Sequence, residues 1–120
     1  MKNNKTIDAF RNAFAGLAYF FKHERNGRLQ LLIGIIIILL SIFLHVSLTE
    51  WLVIIICIGA VLSAEMMNSV LEKICNYVQP LVDPRIKIIK DVAAGAVLFI
   101  CIAASIIGAI IFIPKICQLL

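Results

Sequence analysis

Five polar residues, Glu65, Asn68, Ser69, Glu72 and Asn76, are interleaved with Met66, Met67, Val70, Leu71, Ile74 and Val78. At roughly 100° per residue on a helix, those five fall within an arc of roughly 100°, and the apolar residues cover the rest. Such a stripe matters because an ionisable group at membrane depth is costly and normally faces a bundle interior or an aqueous cavity. Glu65 is therefore a candidate functional residue. Glu72, nearer the end of the apolar run, also reads as an ordinary solvated side chain.

Two further clusters could act with the stripe. Glu24, Arg25, Asn26, Gly27 and Arg28 precede the first long apolar run, and Glu24 is their only carboxylate. Hard divalent cations prefer oxygen ligands, and magnesium commonly takes one or two carboxylates together with substrate phosphates, so Glu24 and Glu72 could share an ATP-bound ion. Arg85, Lys87, Lys90 and Asp91 form the second cluster, at the mouth of the last apolar run. Cations there suit phosphate, although snorkelling beside a membrane explains them equally.

The elements that must position these groups are helices in a bilayer. Of 120 residues, 62% are hydrophobic and only 15% charged, outside the usual soluble balance. Leu29 to Thr49 is 21 residues without a formal charge and Val92 to Pro114 is 23, each enough to cross a bilayer as a helix. A third apolar stretch starts at Trp51 and meets Glu65 after 14 uncharged residues, so spanning carries at least one carboxyl toward the membrane. Upstream, Ile7, Phe10, Phe14, Leu17 and Phe21 recur at helical spacing while Lys5, Asp8, Arg11, Asn12, Lys22 and Arg25 largely avoid that stripe. This pattern predicts an amphipathic helix on the membrane surface. The expected layout is a single domain over 1–120, with a surface helix at about 5–26 and spans at about 29–48, 50–78 and 86–113. Pro80 and Pro84 favour a turn between Gln79 and Arg85.

Orientation follows from basic residues. Lys2, Lys5, Arg11, Lys22, Arg25 and Arg28 precede the first span, Lys73, Arg85, Lys87 and Lys90 are assigned between the second and third, and Ser47 to Glu50 has none. The positive-inside rule then places the N-terminus in the cytoplasm and the C-terminus, with Lys115, outside. No small-residue cleavage site follows a short apolar core near Met1, so a removable signal peptide is not expected. Cys57, Cys75, Cys101 and Cys117 show no CxxC pairing, and His23 and His45 lack helical metal spacing. Neither GxxxxGK[ST] nor GxGxxG occurs, which excludes the common soluble phosphate cradles.

The segments AEMMNSVLEKI from Ala64 and KDVAAGAVL from Lys90, with FRNAF between Phe10 and Phe14 and HERN from His23, resemble the prokaryotic diacylglycerol kinase family, which includes undecaprenol kinases. The resemblance covers nearly the whole chain, and its E-x-x-N-S-x-x-E pattern within a span is highly specific. It implies that Glu65 is the catalytic base and that Glu24 and Glu72 are metal-binding carboxylates. It also implies that Lys90, Asp91 and Asn68 contact the nucleotide, alongside Glu24 and Glu72. The implied fold is all-α: a homotrimer of three-span subunits with an N-terminal surface helix and active sites between neighbours. Two positions depart from the family pattern: Asn76 stands where aspartate is usual, and Asp83 where many members carry histidine.

The expectation is thus ATP- and Mg2+-dependent phosphorylation of a lipid alcohol, diacylglycerol or undecaprenol, at the cytoplasmic face of the inner membrane. A small proton- or cation-coupled transporter is the alternative, using Glu65 as its membrane carboxylate. Such a route should continue outward, yet Trp51 to Leu62 carries no charge and the last span offers only Ser105. A purely structural membrane subunit would explain the hydrophobicity but leave the polar stripe without a role.

Overall fold

Asn4 opens the first helix by accepting the Ile7 backbone N–H on its side chain at 3.3 Å, a conventional N-cap. The computed structural model describes residues 4–120 and contains four helices: α1 (Lys5–His23), α2 (Arg25–Phe43), α3 (Leu48–Val78) and α4 (Pro84–Leu119). Lys2, counted in the charge asymmetry, lies outside the described residues. No strand occurs among the described residues. Helices α2, α3 and α4 are each long and apolar enough to cross a membrane.

Local chemistry sets the boundaries. Helix α1 ends where Glu24 turns extended (φ −105°, ψ 115°), and α2 restarts at the next residue. Arg28 braces this break by donating to the carbonyls of Lys22 (2.7 Å) and Phe21 (3.3 Å), which the end of α1 leaves free. A capping box starts α3: the Ser47 hydroxyl accepts the Glu50 N–H at 3.2 Å, and the Glu50 carboxylate accepts the Ser47 N–H at 2.9 Å. Glu50 also holds Lys115 of α4 at 3.1 Å, tying the start of α3 to the end of α4. Gln79 adopts an extended backbone and ends α3 before Pro80. Asp83 then caps α4 through the Arg85 N–H at 2.9 Å, with Pro84 in the first turn. The Arg85 side chain also pairs with Asp83 and, with its backbone N–H, holds that carboxyl below the ordinary range. The stabilisation from this cap is therefore present above the ordinary aspartate pKa and fades as pH falls through the lowered value.

Packing is thin. α3 is central, with α4 along one side and α2 along the other, while α1 leans on α2. The molecule measures 54 × 49 × 21 Å, about two helix diameters thick. Its small apolar core, Val46, Ile54, Ile111 and Phe112, lies near the α2–α3 connection and the end of α4. Polar links dominate at the opposite end. Ile36, Leu39, Ile56, Phe99 and Ile110 remain exposed, as expected of helices whose apolar faces meet lipid or other subunits.

The α1–α2 break rests on one tight contact. Phe20 is the sole buried residue of α1, and a Cβ built on Gly27 would lie 2.4 Å from its ring. Alanine at position 27 gains at most about 1 kcal/mol of helix propensity, whereas overpacking costs about 1–3 kcal/mol. Gly27→Ala should therefore destabilise, and adding Phe20→Leu should recover most of the loss. Unfolding by titrated denaturing detergent checks this, and a Gly27→Ala protein as stable as the parent would contradict it.

Candidate active site

The α3 stripe is built by helical periodicity and covered unevenly. Glu65 is buried at 6% exposure, whereas Glu72, two turns nearer the α3 C-terminus, is exposed. Gln30 of α2 lies beside the Glu65 carboxyl and also points its amide toward Cys101 of α4, 3.8 Å from the sulfur. Glu65 thus sits where all three long helices contribute side chains. One turn on, Asn68 buries its side-chain oxygen without any hydrogen-bond partner. A buried orphan acceptor is costly, and a hydroxyl or N–H donor arriving from a bound molecule would satisfy it.

The extended backbone at Glu24 turns its side chain onto α3, where the Lys73 ammonium meets Oε1 at 2.9 Å. That ammonium also lies 5.0 Å from the centroid of the Tyr19 ring. Behind the pair, between α1 and α3, is a cavity of about 560 Å³ whose walls include Gly16, Tyr19, Phe20, Met66, Ser69 and Val70. Glu24 and Lys73 form its charged rim. A second cavity of about 580 Å³, almost wholly apolar, lies between α2, α3 and α4, with Gln30 among its few polar walls.

From α4, Lys90 reaches across to α3 and donates to the Asn76 side-chain oxygen at 2.6 Å. Asp91 instead pairs with Lys87 on its own helix at 2.6 Å, on an exposed surface. The fold therefore joins Glu24 to the stripe at Lys73 and Lys90 to the stripe at Asn76, while Asp91 takes a partner outside it. Glu24 and Glu72 both lie near enough for their charges to act on Glu65. Among the described residues, no three His, Cys, Asp or Glu side chains gather into a metal site. Two carboxylates flanked by cations still fit an ion that completes its shell with phosphate oxygens and water, which is the habit of magnesium.

Sequence reasoning passed over three participants. Lys73 counted only as a charge in the orientation rule and was given no part in the site, although the expected helix over 50–78 contained it; it stands on α3, adjacent to Glu72. Gln30 was one polar residue in an uncharged run, and that position alone was a usable signal. Tyr19 carried no signal, because its role depends on where α1 comes to lie against Lys73 of α3.

The family model described as prokaryotic diacylglycerol kinase matches residues 11–112. The chain is 30% identical over 112 residues to an undecaprenol kinase of Bacillus subtilis, covering 93% of this chain and 91% of that protein. It is 34% identical over 113 residues to a diacylglycerol kinase of Synechocystis, covering 93% of this chain and 65% of that longer protein.

Proposed function

The chain belongs to the prokaryotic diacylglycerol kinase family and is a membrane lipid kinase, and from that premise we propose that it transfers the γ-phosphate of ATP to diacylglycerol or undecaprenol at the cytoplasmic face. The carrying observation is the buried Glu65 beside the unpartnered Asn68 acceptor, at the boundary between an apolar helix and its polar end.

In this reading Glu65 accepts the proton of the lipid hydroxyl as that oxygen bonds to the γ-phosphorus and the bond to the ADP oxygen breaks. Asn68 and Lys90 contact the nucleotide, with Lys90 exchanging the Asn76 oxygen for phosphate oxygens. Asp91 contributes at the nucleotide edge through its own cation, Lys87. Glu24 and Glu72 would hold Mg2+, which would supply neutralisation of phosphate charge during transfer. Phosphoryl transfer depends chiefly on positioning and charge neutralisation, so a small helical scaffold suffices.

The chain acts as one membrane domain whose α1 lies on the cytoplasmic surface, its exposed Ile7, Phe10 and Phe14 entering the acyl boundary. Both the N-terminus and the α3–α4 connection face the cytoplasm. An impermeant thiol reagent applied to intact cells should miss a cysteine introduced at position 85 in a background without native cysteines; labelling from outside would reverse the topology. Homotrimerisation gives the thin subunit further walls, with Ala60, Ala64, Ala93, Ala94 and Gly95 permitting close helix approach.

Acceptor choice tests the function. The hydrocarbon body anchors the hydroxyl and supplies binding energy for transfer. In mixed micelles with labelled ATP, diacylglycerol or undecaprenol should be phosphorylated at least about a hundredfold faster than glycerol. Comparable rates with glycerol would refute a membrane acceptor.

A further inference from the structure

Among the described residues, Lys73 is the one cation that touches a proposed metal carboxylate directly. Its ammonium contacts Oε1 of Glu24 at 2.9 Å, on the rim of the α1–α3 cavity, with the Tyr19 ring at 5.0 Å as a second point of rest. Both charged side chains are partly exposed, 45% for Lys73 and 29% for Glu24, so neither is locked in place by packing. A partly solvated pair of this kind contributes little to stability and exchanges partners readily. The lysine stem is flexible and carries three donors, so the ammonium can move several ångströms without moving the helix.

Formal charges define the consequence. The Glu24–Lys73 pair carries no net charge, so while it holds, Glu24 attracts a bare cation only weakly. With Lys73 on Glu24, a metal ion approaching alone must displace the ammonium from the carboxylate it is bonded to. Arriving with phosphate, the same ion frees Lys73 for a better acceptor.

We propose that Lys73 is a phosphate-binding residue held in reserve by Glu24: the carboxylate releases it when metal and nucleotide arrive together, and the freed ammonium closes on the nucleotide's phosphate oxygens. The ion pair thereby makes metal and nucleotide binding mutually dependent. This inference rests on the assignment of Glu24 as a metal ligand.

Calorimetric titration of the purified protein in detergent tests it, with Mg2+ alone and with a non-hydrolysable ATP analogue in the presence of Mg2+. Lys73→Met preserves the side chain's length beside Tyr19 and removes its charge. It should tighten Mg2+ alone by about tenfold, by freeing Glu24, and weaken the Mg2+-analogue complex by about tenfold, by losing one charge-assisted bond. Lys73→Arg should restore analogue affinity to within about threefold. Opposite signs distinguish this role from a clamp, because loss of a mere clamp would weaken both ligands together, and that result would overturn the proposal. Unchanged analogue affinity in Lys73→Met would overturn it as well. Should Lys73→Met fail to fold, Lys73→Gln makes the same comparison. Glu24→Gln separates the two levels of argument: if it too leaves Mg2+ and analogue binding unchanged, the metal assignment of Glu24 falls and the proposal with it. If Glu24→Gln weakens both while Lys73→Met changes neither, only the role of Lys73 is lost.

Discussion

Glu65→Gln should lower the rate of lipid phosphorylation by about 10²–10⁴-fold, the usual contribution of a positioned general base. Glutamine keeps the shape and hydrogen-bonding capacity of the side chain but cannot take up the hydroxyl proton. Glu65 is buried among α2, α3 and α4 and has no assigned part in holding metal or nucleotide, so nucleotide affinity should stay within about threefold of the parent. The effect then falls on kcat, with the KM for ATP nearly constant. Burial supplies a control on folding, since replacing an ionisable buried group by a neutral isostere should leave thermal stability equal or higher. Near-normal turnover in Glu65→Gln would remove the residue from the chemistry.

Substitution of the carboxylates at the stripe's polar end should behave differently. Glu24→Gln and Glu72→Gln each take one anionic oxygen donor from a hard cation, so the Mg2+ concentration needed for half-maximal activity should rise by about tenfold or more in each. Nucleotide binding measured with Mg2+ should weaken in parallel, whereas binding without metal should change far less. Glu24→Gln also breaks the link to Lys73 and so frees a cation beside the cavity. Its binding of metal-free nucleotide should therefore strengthen slightly, an effect Glu72→Gln should lack because Glu72 is exposed and adjacent to Lys73 in sequence but not bonded to it. Metal dependence unchanged in both variants would contradict the ligand assignment.

The three apolar helices and the α3 stripe were readable because both depend on composition and period: a charge-free run of bilayer length has one common solution, and five polar residues within a narrow arc define a face. The end of α3 at Val78 was readable for a similar reason, since Pro80 constrains the residues before it. The break at Glu24 was not. Neither glycine nor proline occupies that position, and the apolar spacing up to Phe21 gives no sign of where the helix ends. Its cause is tertiary: Phe20 seats against Gly27, and Arg28 satisfies carbonyls from the previous helix.

Long-range partners were equally hidden. Lys87 and Asp91 stand four apart on one helix, a spacing that pairs them by geometry alone. The contacts of Lys73 with Glu24 and of Lys90 with Asn76 cross between helices, and no local pattern could have given them. The second of these gives Asn76 a role: a neutral amide holds Lys90 beside the stripe with its positive charge uncancelled. That arrangement leaves Lys90 more available to phosphate than a carboxylate partner would.

Single-turnover phosphate transfer bears most directly on the whole account. Purified protein is loaded with γ-labelled ATP and Mg2+ in micelles and then mixed with lipid alcohol, and the label is followed in lipid phosphate and in free phosphate. Label should enter the lipid only when both Mg2+ and lipid are present, with little release to water beforehand, and Glu65→Gln should retain bound nucleotide without transferring it. Label passing chiefly to water, or reaching the lipid equally well with the metal chelated, would contradict it.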